Sequence, residues 1–155
     1  MFFHYDTCMS LIRNKKAHFD YDILETFEAG LDLHGFEVKS LRDGHGSLEG
    51  AYVIVRGGEA FIVGMTVPPY QSINTPISYD PTRTRRLLLS KKEIAQLSDA
   101  ESIKGLTIVP LSVYNKKKFL KTEIAIARGK KQFDKRETIK RREAEIEMRR
   151  SLKGE

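Results

Sequence analysis

The chain has 155 residues, of which 40% are hydrophobic and 31% charged, and its formal net charge is +6. This length and composition are typical of one soluble domain with its own hydrophobic core. No apolar run approaches the roughly 20 residues that a membrane-spanning helix needs. The single cysteine, Cys8, excludes a disulfide framework and a cysteine zinc site. The first ten residues lack the pattern of a signal peptide, which predicts a cytoplasmic location.

The excess positive charge is concentrated at the end of the chain. Residues 1–127 have a net charge of +1, whereas residues 128–155 have a net charge of +5. A nearly neutral body with a basic tail is typical of a protein that binds a polyanion, most often nucleic acid. A tail that only improves solubility is the alternative.

The body is predicted to consist mainly of strands. Apolar and polar residues alternate from Tyr21 to Leu33, which indicates a half-buried strand. A short helix is predicted over residues 37–42. Two β-rich runs between residues 51 and 67 meet at Gly57-Gly58, where both residues can adopt positive φ, so this segment is predicted to be a hairpin.

The second half of the body continues the same pattern. Residues 70–81 are rich in proline, serine and threonine and are predicted to form a long loop. Ser90-Lys-Lys-Glu93 is a capping box, which predicts a helix after it. Residues 106–114 and 119–128 are predicted to be strands on either side of a basic turn. About six strands with two or three short helices predict a mainly β fold, a small closed or partly open barrel.

The two ends of the chain are predicted to differ from the body. Residues 129–155 have a helix-forming composition without a coherent apolar face, so this tail is expected to be disordered alone and helical against a partner. Residues 1–12 are expected to be a variable, disordered terminus, and Met9 could be the true start. The barrel domain is therefore assigned to residues 13–128.

Signatures of catalysis are absent from the sequence. It contains no phosphate-binding Walker loop, no nucleophile elbow and no metalloprotease motif. Its four histidines are scattered rather than set at ligand spacing. We therefore expect no enzyme activity, no cofactor and no metal.

Clusters of basic residues flank the predicted barrel. Lysine and arginine neutralise phosphates, and aromatic rings or guanidinium planes stack on bases, so such clusters on a barrel favour nucleic-acid binding. The candidates are Arg13, Lys15, Lys16, Arg83, Arg85, Arg86, Lys130 and Lys131.

Five ordered sequence blocks resemble the SsrA-binding protein family, also called small protein B. The likeness extends from about Arg13 to Leu152. The blocks are Asn14-Lys-Lys-Ala17, Phe27-Glu-Ala-Gly30, Gly35-Phe-Glu-Val-Lys-Ser-Leu-Arg42, Asp80-Pro-Thr-Arg-Thr-Arg-Arg-Leu-Leu-Leu89 and Gly129-Lys-Lys-Gln-Phe-Asp-Lys-Arg-Glu137.

The resemblance implies a bacterial trans-translation factor with an oligonucleotide-binding-type barrel. Such a protein binds the tRNA-like domain of transfer-messenger RNA. Together with elongation factor Tu, it accompanies that RNA to ribosomes stalled without a stop codon. Its basic tail would enter the empty messenger channel near the decoding region of the small subunit.

The resemblance also assigns roles to individual residues. Contacts with RNA would be made by Asn14, Glu28 and Leu88, with Lys39 and Arg42 as further candidates. Together with the basic residues above, the predicted RNA-binding set is Asn14, Lys15, Lys16, Glu28, Lys39, Arg42, Arg83, Arg85 and Leu88. The predicted ribosome-binding set in the tail is Lys130, Lys131, Phe133, Asp134, Lys135 and Arg136. Many relatives have histidine or tyrosine where this chain has Phe133, whose ring can stack but cannot donate a hydrogen bond.

Two other interpretations remain open at the level of sequence. A ribosome-associated protein could use the same barrel on ribosomal RNA. A small protein-interaction module is the third possibility, and its main binding would not weaken at high salt.

Overall fold

Seven strands and four helices make up the described part of the chain. The computed structural model describes residues 10–71, 75–130 and 132–153, apart from the side chains of residues 132–134. The strands are β1 Ser10–Arg13, β2 Tyr21–Leu31, β3 Tyr52–Arg56, β4 Glu59–Val63, β5 Arg85–Leu88, β6 Leu106–Lys116 and β7 Phe119–Gly129. The helices are α1 Lys15–Asp20, α2 Gly35–Arg42, α3 Lys91–Ser102 and α4 Gln132–Lys153.

All strands belong to one antiparallel sheet in the order β1-β6-β7-β2-β5-β4-β3. The sheet curls, so that β3 at one end of this order lies beside β6 near the other end. The result is a small, partly open barrel, as the sequence predicts. Its interior holds the main core, which includes Phe27, Ile62, Ile108 and Ile124.

Most elements with a strong local pattern are confirmed. The alternating segment forms β2, and the hairpin of β3 and β4 turns at Gly57 and Gly58, both with positive φ. Ser90 caps α3 by accepting from the Glu93 N–H at 3.2 Å. The predicted helix α2 begins two residues earlier than expected, at Gly35.

Two short elements depart from the sequence analysis. Ser10–Arg13 pairs with β6, so residues 10–12 are not a disordered terminus; residues 1–9 lie outside the described part. The helix α1 follows Asn14, whose side chain accepts from the Ala17 N–H at 3.1 Å. Asparagine is a favoured helix cap, so this signal was present in the sequence.

The tail forms the helix α4, the helical one of the two states expected of it from the sequence. Residues 135–153 of α4, whose side chains are described, are nearly all exposed, and they include the apolar Ile139, Ile146, Met148 and Leu152. The predicted lack of a packing face is therefore confirmed, and the helix depends on its own composition and on a few polar contacts with α1. In the described ranges, no helix is long and apolar enough to cross a membrane.

Candidate nucleic-acid interface

The register of four strands places a row of side chains on the outer face of the barrel. Tyr114 of β6 is opposite Lys121 of β7, which is opposite Gly30 of β2, which is opposite Leu88 of β5. With strands about 4.8 Å apart, this row spans about 14 Å. Glu28 precedes Gly30 by two residues in β2, so it lies on the same face. We call this surface the Glu28 face; it comprises Glu28, Gly30, Leu88, Tyr114 and Lys121.

Glu28 is held in place by two partners from β6. The Tyr114 hydroxyl donates to Oε2, and Lys116 Nζ lies 3.0 Å from Oε1. The hydrogen bond from Tyr114 lowers the pKa of Glu28 below its ordinary value, and Lys116 acts in the same direction. The side chain is an ionised, partly exposed carboxylate, which can accept hydrogen bonds from base amino groups.

Leu88 is exposed because the alternation of β5 turns it outward. Its side chain remains 50% exposed, while the neighbouring Leu87 is buried in the core. Gly30 makes room for it: a Cβ on Gly30 would lie 3.1 Å from Leu88 Cβ. The same surface continues into a shallow hollow of about 520 Å³ lined by Glu28, Leu88 and Lys121.

The predicted contacts on α2 lie beside the turn between β6 and β7. Lys39 and Arg42 are both exposed, and Arg42 Nη2 donates to the Lys118 carbonyl at 3.1 Å. With Asp43 and Tyr70 they line a second hollow of about 330 Å³. The fold therefore brings Arg42 to the backbone of the β6–β7 turn, with Lys39 beside it on α2.

Lys15 and Lys16 lie elsewhere, on α1. Both are exposed, and Lys16 Nζ is 3.8 Å from a carboxylate oxygen of Glu49. The helix packs against β2 and β6 and lies near α4. Their exposure permits phosphate contacts, but they are on a different element from the Glu28 face.

Asn14 is buried rather than presented to a ligand. Its residue is 5% exposed, and its Nδ2 donates to the Leu48 carbonyl at 3.2 Å and the Pro110 carbonyl at 3.0 Å. Together with the cap on Ala17, these bonds fix α1 to the barrel. Because little of the side chain is exposed and its polar atoms are bonded within the protein, the structure indicates a structural role for Asn14.

We expect Asn14→Ala to lower the free energy of unfolding by about 2–4 kcal/mol, because it removes a helix cap and leaves two buried carbonyls without this donor. Urea unfolding would measure the loss. The RNA affinity of the folded fraction should stay within about twofold of the parent chain. Lys15→Ala is the matched control on the same helix and should leave stability unchanged. A stable Asn14→Ala variant with a tenfold loss of RNA affinity would contradict this role.

Glu37 organises a charged cluster inside the protein. It is fully buried, and its carboxylate accepts from Arg83, Arg85 Nε at 2.8 Å, the Tyr79 hydroxyl at 3.0 Å and the His34 N–H at 2.8 Å. Burial alone would raise the pKa of Glu37. The hydrogen bonds from Arg83, the His34 backbone and Arg85 outweigh burial and lower that pKa to about 2.

The sequence prediction that Arg85 contacts RNA does not fit this cluster. Its guanidinium is completely buried and also donates to the carbonyls of Met65 and Pro81, at 2.8 and 3.0 Å. Arg83, with a side chain 27% exposed, also donates to Glu37. Arg85 is buried because side chains alternate between the two faces of a strand. In β5, Arg85 and Leu87 face inward, while Arg86 and Leu88 face outward.

The tail contacts the body through Asp20 and Phe19 of α1. The Lys130 N–H donates to the Asp20 carbonyl at 2.8 Å, and Lys135 Nζ lies 3.3 Å from the Asp20 carboxylate. The Arg142 guanidinium lies 5.6 Å from the centre of the Phe19 ring. Arg136 is exposed. Lys131 and the side chains of Phe133 and Asp134 lie outside the described residues.

The residues that the structure describes contain no group of three or more histidine, cysteine or acidic side chains placed to hold a metal ion. The Glu28 face presents a carboxylate with exposed apolar and basic neighbours, on a barrel that carries a basic helix, and this arrangement is suited to binding. These features define a small oligonucleotide-binding-type barrel protein with a C-terminal extension.

Comparison with known proteins identifies the family. The family model described as SmpB protein matches residues 11–154, and the chain belongs to that family. An SsrA-binding protein of Azoarcus sp. is 50% identical over 94% of this chain and 98% of its own length. Another, from Gloeothece citriformis, is 47% identical over 90% of both chains.

A solved structure agrees with this assignment. It is described as "tmRNA-SmpB: a journey to the center of the bacterial ribosome" and superposes with a TM-score of 0.66 at 41% sequence identity. The match covers 78% of this chain and 85% of the other. The mainly β fold and the family resemblance stated from the sequence are thereby confirmed.

Proposed function

We propose that this chain is an RNA-binding adaptor of trans-translation. It holds the tRNA-like domain of transfer-messenger RNA on its barrel and brings that RNA to stalled ribosomes. The observation that carries this proposal is the 50% identity to an SsrA-binding protein over 94% of the chain. The same identity supports a binding role rather than catalysis. We further propose that the chain acts in the cytoplasm with elongation factor Tu as a companion.

The Glu28 face supplies three kinds of contact for an RNA surface. The Glu28 carboxylate accepts from base amino groups, which a lysine cannot do. Leu88 offers an exposed apolar side chain that packs on a sugar or base. Lys121, with Lys39 and Arg42 beyond the turn, neutralises phosphates. Of the predicted set, Asn14 and Arg85 act through the fold and not through direct contact.

The exposed helix α4 is the part that we assign to the ribosome. Its 22 residues extend about 33 Å at 1.5 Å per residue, long enough to follow a channel that a messenger strand has vacated. Lys130, Lys131, Phe133, Asp134, Lys135 and Arg136 mark the point where the tail leaves the barrel, and we propose that they contact the decoding region of the small subunit.

Glu28→Ala separates base recognition from simple charge attraction. The substitution removes a negative charge and releases Lys116, so charge alone would strengthen RNA binding. If Glu28 accepts from a base edge, we expect affinity for the tRNA-like domain to fall by about 1–3 kcal/mol instead. Binding is measured by titration with a labelled tRNA-like domain at fixed salt, on protein that circular dichroism shows to be folded.

Glu49→Ala is the matched control, because Glu49 also pairs with a lysine, Lys16, but lies away from the Glu28 face. It should leave binding unchanged or slightly tighter. Tighter binding by both variants would show that Glu28 makes no base contact. Equal affinity of the parent chain for the tRNA-like domain and for a ribosomal RNA hairpin of the same length would favour the ribosomal RNA interpretation.

A further inference from the structure

The turn between β6 and β7 extends the Glu28 face with an exposed aromatic ring. It consists of Lys117 and Lys118 between the paired residues Lys116 and Phe119. Phe119 is 67% exposed, and all three lysines are exposed. Because side chains alternate along a strand, Phe119 lies on the same face of β7 as Lys121, about 7 Å away. A ring beside three cations is therefore continuous with this face.

The turn also joins the two groups of predicted RNA contacts. On one side, Lys116 Nζ lies 3.0 Å from Glu28 Oε1. On the other side, Arg42 of α2 donates to the Lys118 carbonyl at 3.1 Å. The turn is thus fixed between the Glu28 face and α2 by one charged contact on each flank.

The backbone of the turn carries a local strain. Lys117 has φ of +57°, and it is the one non-glycine residue with positive φ in the described ranges. Two-residue hairpins prefer asparagine or glycine at such positions, because a Cβ disfavours the left-handed conformation. A glycine at this position would have no such strain. The presence of lysine therefore indicates that its side chain has a function.

We propose that the β6–β7 turn is an RNA-binding element in which the Phe119 ring stacks on an unpaired base and Lys117 and Lys118 contact the neighbouring phosphates. The proposal rests on the proposed function, because the partner is the RNA held by the Glu28 face. Every base presents a π face, so this contact adds affinity without selecting a particular base. The RNA must expose at least one unstacked nucleotide at this point.

Substitutions at Phe119 test the stacking contact in the full-length chain. Phe119→Ala should weaken binding to the tRNA-like domain at least five-fold and leave the salt dependence of binding unchanged. Phe119→Tyr should retain the parent affinity, whereas Phe119→Leu, which is apolar but has no π face, should lose it. Ile103→Ala is the control, because Ile103 is 52% exposed and precedes β6 at the opposite end from the turn.

Substitution of Lys117 tests the phosphate contact without endangering the fold. Lys117→Gly relieves the positive φ, so the melting temperature should stay the same or rise. The plot of log affinity against log salt should become shallower by about one unit.

The outcomes separate this proposal from the proposed function. Parent-like affinity of Phe119→Leu, or an unchanged salt slope for Lys117→Gly, overturns the RNA-binding turn. If Glu28→Ala still weakens binding in that case, the proposed function stands by itself. Failure of the parent chain to bind the tRNA-like domain overturns both.

Discussion

Glu37→Gln should lower the free energy of unfolding by about 3–5 kcal/mol, since it leaves a buried guanidinium without its counter-charge. Arg85 has no exposed surface, and Oε2 of Glu37 lies 2.6 Å from its Nη2. A loss of that size is a large part of the 5–15 kcal/mol that typically stabilises a domain. Urea unfolding monitored by circular dichroism at pH 7 would measure it.

The same carboxylate makes stability depend on pH in a defined direction. The pKa of Glu37 falls from 4.5 to about 2 in the folded chain. A lowered pKa means that its stabilisation is complete above about pH 4.5 and is lost as the pH falls from 4.5 towards 2. The stability of the parent chain should decline over that interval, and Glu37→Gln should remove most of this component of the decline.

Glu59→Gln is the matched control for this substitution. Glu59 pairs with Arg86 at 3.2 Å on the surface, where both side chains are about half exposed. Such a pair contributes about 1 kcal/mol or less, so the control should be nearly as stable as the parent. If Glu37→Gln proved as stable as Glu59→Gln, the buried ion pair between Glu37 and Arg85 would not stabilise the fold as its geometry indicates.

Elements with a long local pattern could be predicted from the sequence, and short elements could not. Both β2 and β7 have 11 residues, enough for alternation to be recognised. By contrast, β1 and β5 have four residues each, and they form strands because of the neighbours that they pair with. The partner of β1 is β6, and the partners of β5 are β2 and β4. The pairing partners are distant in the chain, so no local window contains the signal.

The charged residues of the candidate site likewise have partners that are distant in the chain, so their contacts could not be predicted from the sequence. Alternation in β2 was enough to place Glu28 on the polar side of its strand, but its partner Tyr114 is 86 residues away. Arg85 was predicted to bind RNA because the sequence of a basic cluster does not show which side chains point into the protein and which point to solvent. Its partner Glu37 is 48 residues away, and only the fold shows that the two charges neutralise each other inside the protein.

Deleting residues 131–155 should abolish the tagging of stalled products while the barrel still folds and binds the tRNA-like domain. The deletion removes all of α4 and, over residues 131–155, nine basic and six acidic residues, but it keeps the hydrogen bond from the Lys130 N–H to the Asp20 carbonyl. The helix contributes little to the core, because residues 135–153 are nearly all exposed. Under the proposed function, the deletion removes the helix that we assign to the vacant messenger channel.

A reconstituted stalled-translation assay run beside an RNA gel shift measures the two activities separately. Lys135→Ala with Arg136→Ala is the finer variant, and it should reduce tagging while RNA binding persists. Because Lys135 also pairs with Asp20, Asp20→Asn controls for the loss of that contact and should keep tagging close to the parent level. Normal tagging by the truncated chain would reduce the tail to an aid to solubility. Equal loss of tagging and of the gel shift would show that α4 belongs to the RNA-binding surface, since the barrel would then lack an RNA affinity of its own.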